Sequence, residues 1–119
     1  MSEFAGRRIL VVEDEALVAM MLEDMLAELG FEVVGPAMRL DEGLELARLN
    51  GLDAAVLDIN LAGERSYPIA DLLEERGVPH AFVTGYGHSG RPGKQDRVLQ
   101  KPYREPQLRA MLAEMLARP

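Results

Sequence analysis

Short runs of consecutive apolar residues alternate along the chain with segments in which apolar residues recur every three or four positions. The first run, residues 9–12, is apolar throughout, as expected for a strand covered on both faces of a parallel sheet. Strands that alternate with helices in this way form right-handed βαβ units, with helices on both faces of one sheet. The sequence therefore predicts an α/β fold with a doubly wound, five-stranded parallel sheet.

The same pattern predicts where the elements lie. The second apolar run alternates and carries a charge, so we place it at a sheet edge. Residues 85–97 are rich in glycine and have no helical periodicity, so a mobile loop with a poorly formed or absent fourth helix is expected there. The predicted strands lie near residues 9–12, 31–34, 54–57, 81–83 and 98–100, and the helices near residues 16–29, 40–47, 68–73 and 106–115.

Length, composition and charge exclude several classes of protein. A length of 119 residues is typical of one domain, so we interpret residues 1–119 as a single domain. The absence of cysteine excludes disulfide scaffolds and thiolate metal sites, and a net charge of -7 disfavours binding to nucleic-acid phosphates. The longest apolar run, residues 16–22, is too short to span a membrane, and residues 1–8 hold no secretory signal. A cytoplasmic protein is expected.

Polar side chains follow four of the five predicted strands. Glu13 and Asp14 follow the first strand, Asp58 the third, Thr84 the fourth and Lys101 the fifth. Ligands of open α/β sheets bind beyond the carboxyl ends of the strands, so these side chains are expected to share one crevice. Converging carboxylates repel each other unless a cation lies between them, and their oxygens suit Mg²⁺. A lysine and a hydroxyl then supply the charge and the donor that a phosphoryl group needs.

Each of these residues also has a simpler interpretation when it is taken alone. Acidic residues at positions 13–15 favour the start of a helix through its dipole. Asp58 at the end of a strand is typical of a turn, and Thr84 or Lys101 at such a place is usually solvated surface. The combination of all of them at one edge of the sheet favours the functional interpretation.

Other polar and sulfur-containing residues are given structural interpretations. His80 and His88 lack the spacing of metal ligands, so packing or loop roles are expected for them. Arg91, Lys94 and Arg97 are sparse within the glycine-rich segment and are interpreted as a solvated face, with recognition of an acidic partner as the alternative. The seven methionines are interpreted as core filler on helices.

Five separated motifs resemble those of the response-regulator receiver domain, the phosphoacceptor module of bacterial two-component signal transduction. The resemblance covers about residues 8–116 and implies the flavodoxin-like strand order 2-1-3-4-5, with the first and third strands adjacent. It also implies a phosphoprotein of signalling type, not an enzyme beyond autocatalytic phosphotransfer and slow self-dephosphorylation. The motifs are Val-Glu-Asp-Glu at residues 12–15, Leu-Asp-Ile-Asn at 57–60, Val-Thr-Gly at 83–85, Lys-Pro-Tyr at 101–103 and the last amphipathic helix.

The resemblance implies roles for the metal ligands and the nucleophile. Asp58 would be the aspartyl nucleophile that accepts phosphate from a sensor histidine kinase or a histidine phosphotransfer protein. Asp14 and Asp58 would bind Mg²⁺, with the carbonyl oxygen of Asn60 as a further ligand and Glu13 acting through a metal-bound water. An aspartyl phosphate formed with a metal is consistent with the residue types alone.

The resemblance also implies how the phosphoryl group is held and sensed. Lys101 would pair with Asp58 and then with the phosphoryl oxygen, and Thr84 would hydrogen-bond that group. Thr84 would thereby pull the following loop, which begins at Gly85, inward. From the flexible composition of that loop we hypothesise that phosphorylation of Asp58 orders residues 85–97. Tyr86 is either a reporter of this switch or an exposed loop aromatic, and both interpretations stay open.

Details of the sequence resemble a narrower subgroup of receivers, nicknamed FATGUY for its Phe-Ala-Thr-Gly signature. Here residues 82–86 read Phe-Val-Thr-Gly-Tyr. Most receivers have an aromatic residue three positions before the lysine, where this chain has Val98, so it lacks the aromatic side chain on which the common switching scheme depends. Leu-Ala-Gly at residues 61–63 replaces the usual turn with proline after the phosphoacceptor.

The favoured function is a stand-alone phosphoacceptor that signals by contact with an unidentified downstream protein. A phosphohydrolase of the haloacid-dehalogenase type is an alternative, but that family has an acidic residue where this chain has Asn60. A binding module that works without phosphorylation is a third hypothesis. The presence of Asp14, Asp58, Thr84 and Lys101 together argues against it.

Overall fold

A five-stranded parallel sheet forms the centre of the computed structural model, which describes residues 4–85 and 87–117. The strand order is β2-β1-β3-β6-β7, which confirms the predicted flavodoxin-like order. The elements in chain order are β1 (Arg8–Val12), α1 (Ala16–Glu28), β2 (Glu32–Ala37), α2 (Leu40–Leu46), β3 (Ala54–Asp58), β4 (Asn60–Leu61), β5 (Glu64–Arg65), α3 (Tyr67–Glu75), β6 (His80–Thr84), β7 (Arg97–Gln100) and α4 (Glu105–Leu116).

The central strands are buried on both faces, which explains their continuous apolar sequence. Ile9 and Val11 of β1 pack into one core cluster with α1 and α4. Leu10 and Val12 face the other side and pack with α2 and α3. The prediction of an edge position for the second strand is confirmed, because β2 pairs only with β1 among the described strands.

A short β-hairpin that the sequence analysis missed lies between β3 and α3. β4 and β5 pair through Asn60 with Arg65 and Leu61 with Glu64. The two turn residues, Ala62 and Gly63, have positive φ angles of 50° and 92°, as a two-residue hairpin requires. Strands of two residues carry too little alternation to be recognised, and Ala-Gly is a weaker turn signal than Asn-Gly.

No helix lies between β6 and β7 in the part of this segment that the structure describes, as predicted. The interpretation of its basic residues as a solvated face is wrong for Arg91, whose side chain is only 7% exposed. Lys94 and Arg97 are exposed, as expected. Arg91 is buried because carboxylates surround its guanidinium group and replace the water that it loses.

The interpretation of all methionines as core filler is wrong for two residues of α1. Met20 and Met21 are 55% and 53% exposed, because Ala19, Leu22 and Leu26 form the buried face of this helix. Leu17, which is 68% exposed, extends the same apolar surface. None of the helices among the described residues has the length and apolar character that crossing a membrane requires.

Candidate functional site

A cleft of about 340 Å³ lies at the carboxyl ends of the parallel strands. The sheet pairing puts it there, because Val12 pairs with Leu57 and Asp58 pairs with Val83. Residues that follow β1, β3 and β6 are thereby brought side by side. The lining residues are Asp14, Glu15, Asp58, Asn60, Thr84, Gly85, His88 and Lys101.

Three carboxylates meet at this cleft. One oxygen each of Glu13, Asp14 and Asp58 lies within 4.8 Å of the other two. Glu13 is 1% exposed and Asp58 7%, so water screens their repulsion poorly. Burial and then the charge of Glu13 raise the pKa of Asp58 to about 7. The three carboxylates repel one another when no cation is bound, and their oxygens suit a small divalent cation.

Lys101 supplies the positive charge beside these carboxylates. Its Nζ donates a hydrogen bond to Glu13 Oε1 at 3.1 Å and lies 3.7 Å from Asp58 Oδ2. Burial alone lowers the pKa of Lys101, but Glu13 and Asp58 outweigh burial and raise it. The ammonium group therefore stays protonated next to Asp58.

The β4–β5 hairpin holds the carboxylate of Asp14. The backbone N–H of Ala62 donates to Asp14 Oδ2 at 2.9 Å, across 48 positions in the sequence. The neighbouring carboxylate is also held by the backbone, because the N–H of Glu15 donates to Glu13 Oε2 at 3.2 Å. Asn60, at the start of the hairpin, is exposed in the lining of the cleft.

Thr84 ends β6 at the rim of the same cleft. Its side chain is buried, and its carbonyl oxygen accepts a hydrogen bond from the N–H of Lys101 at 2.8 Å. Gly85 follows in the lining, while Tyr86 lies outside the described residues. The structure therefore brings together all the predicted site residues that it describes, and the proposed switching role of Tyr86 stays a prediction.

Two lining residues were not singled out as site residues from the sequence. Glu15 was treated only as part of an acidic motif, and His88 was assigned a loop role. His88 reaches the cleft because of the path of the segment between β6 and β7. No spacing in the sequence indicates that path, so this residue could not have been found from its position alone.

Comparison with known proteins identifies relatives of this architecture. The family model described as "Response regulator receiver domain" matches residues 9–113. The transcriptional regulatory protein PdtaR of Mycobacterium tuberculosis is 36% identical over 81 residues, 67% of this chain and 40% of that protein. The phyllosphere-induced regulator PhyR of Methylorubrum extorquens is 32% identical over 114 residues, 91% of this chain and 43% of that protein. The chain thus spans about two fifths of these curated relatives.

A solved structure of similar size covers the whole fold. The solution structure of SdrG from Sphingomonas melonis Fr1 is 40% identical, with a TM-score of 0.83, covering 98% of this chain and all of that one. The family implies a phosphoacceptor role in two-component signalling, which makes the chain a signalling domain and not a classical enzyme. Membership of the FATGUY subgroup stays a prediction. By family match and fold together, the chain belongs to the response regulator receiver domains.

Proposed function

We propose that the chain accepts a phosphoryl group on Asp58 from a phosphohistidine of a sensor histidine kinase or a histidine phosphotransfer protein. A carboxylate oxygen of Asp58 forms the new P–O bond as the P–N bond to histidine breaks. The electron pair returns to the imidazole nitrogen, which takes up a proton. The observation that carries the proposal is the position of Asp58, a buried carboxylate beside two others and 3.7 Å from the ammonium of Lys101.

The carboxylate cluster supports a dependence on Mg²⁺. Asp14 and Asp58 would hold the ion directly, with the carbonyl oxygen of Asn60, and Glu13 would act through a bound water. When bound, the ion neutralises the charge of the transferring phosphoryl group. The hydrogen bond from Ala62 orients Asp14 and occupies one of its two carboxylate oxygens.

Lys101 and Thr84 are proposed to bind the phosphoryl oxygens. Lys101 is already beside Asp58, so its ammonium can follow the negative charge as it moves onto the phosphoryl group. The hydroxyl of Thr84 would donate to a second oxygen. Because Gly85 follows Thr84 directly, this contact would change the chain that leaves the cleft.

The surface beside the cleft supports signalling by protein contact. Leu17, Met20 and Met21 form an exposed apolar stripe on the first turns of α1, which begins directly after Asp14 and Glu15. A protein that brings a phosphohistidine to Asp58 has to cover this rim during transfer. We propose that the donor does so, and that a downstream protein then recognises the phosphorylated chain.

Phosphorylation by a small donor tests the proposed function. After incubation with Mg²⁺ and acetyl phosphate, intact-mass spectrometry is expected to show the gain of one phosphoryl group. The gain should vanish with a chelator and in Asp58→Ala. Asp41→Ala removes an exposed aspartate of α2 that does not line the cleft, and this control should keep the gain. Modification that persists in Asp58→Ala would overturn the assignment of the nucleophile.

A further inference from the structure

One buried arginine organises the segment between β6 and β7, where the described residues form no helix. Nη1 of Arg91 donates to Asp71 at 2.8 Å, and Nη2 donates to Glu74 at 2.7 Å. The guanidinium of Arg91 also binds Asp96 in a bidentate manner: Nε donates to Oδ2 at 3.1 Å and Nη2 donates to Oδ1 at 2.8 Å. The backbone N–H of Arg91 also donates to Asp96 Oδ2 at 2.8 Å. Arg91 therefore ties the residue before β7 to helix α3.

Weaker contacts join the same segment to α3. The hydroxyl of Tyr67 donates to the carbonyl oxygen of Gly90 at 3.0 Å. Lys94 pairs with Glu74 at 3.0 Å, but both side chains are about half exposed. Pairs in which both partners are exposed contribute little to stability. The guanidinium of Arg91 is buried and bonded to three carboxylates, of which Asp96 is also buried while Asp71 and Glu74 face the solvent on α3. Arg91 is thus the main polar anchor of residues 90–96.

Strand β7 needs such an anchor, because its own sequence specifies its register weakly. It has four residues and lies at the edge of the sheet, with Arg97 and Gln100 exposed and Val98 and Leu99 only half-buried. Hydrophobic burial fixes the register of a strand only when one face is firmly inside the core. Asp96, which Arg91 holds, is the residue directly before β7.

The register of β7 decides where Lys101 lies. Thr84 of β6 pairs with Gln100, and the next N–H, that of Lys101, bonds to the carbonyl of Thr84. A slip of one residue moves the strand by about 3.3 Å and turns every side chain to the other face. Such a slip would take the ammonium of Lys101 away from Asp58, which lies 3.7 Å from it.

The geometry points to Arg91 as a positioning residue for phosphoryl transfer, which holds Asp96 against α3 and so keeps β7 in the register that brings Lys101 to Asp58. This inference rests on the proposed function of Asp58. Arg91 lines a separate cavity with Glu74, His80 and Asp96, and it acts on the reaction only through the strand.

The first test compares phosphorylation with metal binding in Arg91→Gln. With Mg²⁺ and acetyl phosphate, the initial rate of phosphorylation is expected to fall at least tenfold. The affinity for Mg²⁺ alone, measured by calorimetry, should be unchanged or higher, because Lys101 carries the same sign of charge as the ion. A general loss of structure would weaken both, so equal losses of rate and affinity would overturn the inference.

The second test asks whether Arg91 acts through Lys101. In a Lys101→Met background, adding Arg91→Gln should change the remaining phosphorylation rate less than twofold, because the group that Arg91 positions is already absent. If the two substitutions multiply their effects, Arg91 does not act through Lys101 and the inference fails.

Matched variants complete the design. Lys94→Gln removes only the exposed pair with Glu74 and should keep the rate within twofold of the unmodified chain. Asp96→Asn removes the charge of Asp96 but keeps its shape, so it weakens the contact with Arg91 less than Arg91→Gln does. If Arg91→Gln does not fold, the phosphorylation rate of Asp96→Asn tests the inference in its place. If Arg91→Gln and Asp96→Asn are both phosphorylated as fast as the chain without substitutions, the inference fails but the proposed function stands. If the chain without substitutions gains no phosphoryl mass, the proposed function itself is contradicted.

Discussion

Among single residues, Asp58 shows most directly how burial shapes the chemistry of the cleft. Its carboxylate has lost most of its water and lies beside Glu13 and Asp14, so its charged form is disfavoured. Lys101 opposes this effect but does not outweigh it, and the pKa of Asp58 rises to about 7. The folded chain without metal therefore carries a penalty at neutral pH that a bound cation would relieve.

This penalty gives a pH-dependent stability. Because the pKa of Asp58 is raised from 3.8 to about 7 on folding, the folded state holds its proton more tightly than the unfolded state. The contribution of Asp58 to the free energy of unfolding should therefore fall as the pH rises between these values, by roughly 4 kcal/mol at most. Asp58→Asn removes the penalty, so in chelator its stabilising effect should be larger at pH 8 than at pH 5 by roughly 3 kcal/mol.

Urea denaturation at the two pH values measures this difference. Asp41→Asn, which removes an exposed charge of α2, is the matched control. An effect of Asp58→Asn that is equal at pH 5 and pH 8 would contradict the raised pKa.

The polar residues that follow the strands at the cleft could be predicted from the sequence, whereas His88 and Arg91 could not. Asp14, Asp58 and Lys101 each follow a recognisable strand, and parallel strands bring their carboxyl ends to one edge. The partners of Arg91 on α3, Asp71 and Glu74, are 20 and 17 positions away. In the sequence they look like ordinary acidic residues on the exposed face of a helix, and nothing indicates that they bind an arginine. Only the path of the chain between β6 and β7 brings the two together.

At the scale of elements, the close approach of α2 and α3 depends on one glycine. A Cβ atom at Gly43 would collide with Cδ1 of Ile69 and would lie 3.5 Å from Cγ2 of Val12. Ile69 is fully buried, so it has little room to move. Glycine inside a helix costs about 1 kcal/mol relative to alanine, and the packing of two helices offsets that cost here.

The size of this effect can be measured with a pair of substitutions. Gly43→Ala is expected to lower the free energy of unfolding by about 1–2 kcal/mol, because overpacking outweighs the better helix propensity. Ile69→Val removes the Cδ1 atom that the new Cβ would meet. Because valine keeps the Cγ1 atom, 3.3 Å from the new Cβ, Gly43→Ala should still meet a tight contact in that background but cost clearly less than in the unmodified chain.

Denaturant titration of the four chains gives the coupling between the two positions. If Gly43→Ala is equally destabilising with and without Ile69→Val, the contact between α2 and α3 is not the reason for the glycine.

Elements with a clear apolar period were predicted close to their observed bounds. The last helix was expected near residues 106–115 and is found at Glu105–Leu116. The β4–β5 hairpin was missed because its strands are held by local turn geometry and by one buried side chain, Leu61. Such short elements have no periodic signal for a sequence analysis to detect.

At the scale of the whole molecule, two chain segments leave the cleft and meet again at Arg91. One runs from Asp58 through the hairpin into α3, and the other runs from Thr84 towards β7. Arg91 joins them on the flank of α3. The sequence predicts that residues 85–97 become ordered on phosphorylation, whereas residues 90–96 are already anchored by the contacts of Arg91 and Tyr67.

The anchor limits where a phosphoryl group can change the structure. With beryllofluoride and Mg²⁺ as a phosphoryl mimic, we expect hydrogen exchange to slow at residues 87–89, close to Thr84. Exchange at residues 91–96 should change little, because Arg91 and Asp96 hold that part in both states. In Arg91→Gln the change should extend through residues 91–96.

Asp58→Ala, which cannot form the mimic, should show no change and serves as the control. If exchange slows equally from residue 87 to residue 96 in the chain without substitutions, then residues 91–96 are not held by Arg91 in both states and the prediction is wrong.

The burial of Arg91 also determines how the chain responds to dissolved salt. Mobile ions screen exposed pairs such as Lys94 with Glu74 or Arg97 with Glu114, because both partners face the solvent. Ions cannot enter around a guanidinium group that is 7% exposed, so its attraction to Asp96 persists at high ionic strength. The contact of Arg91 with Asp96 before β7 therefore persists when the salt concentration rises, while the pairs between exposed side chains weaken.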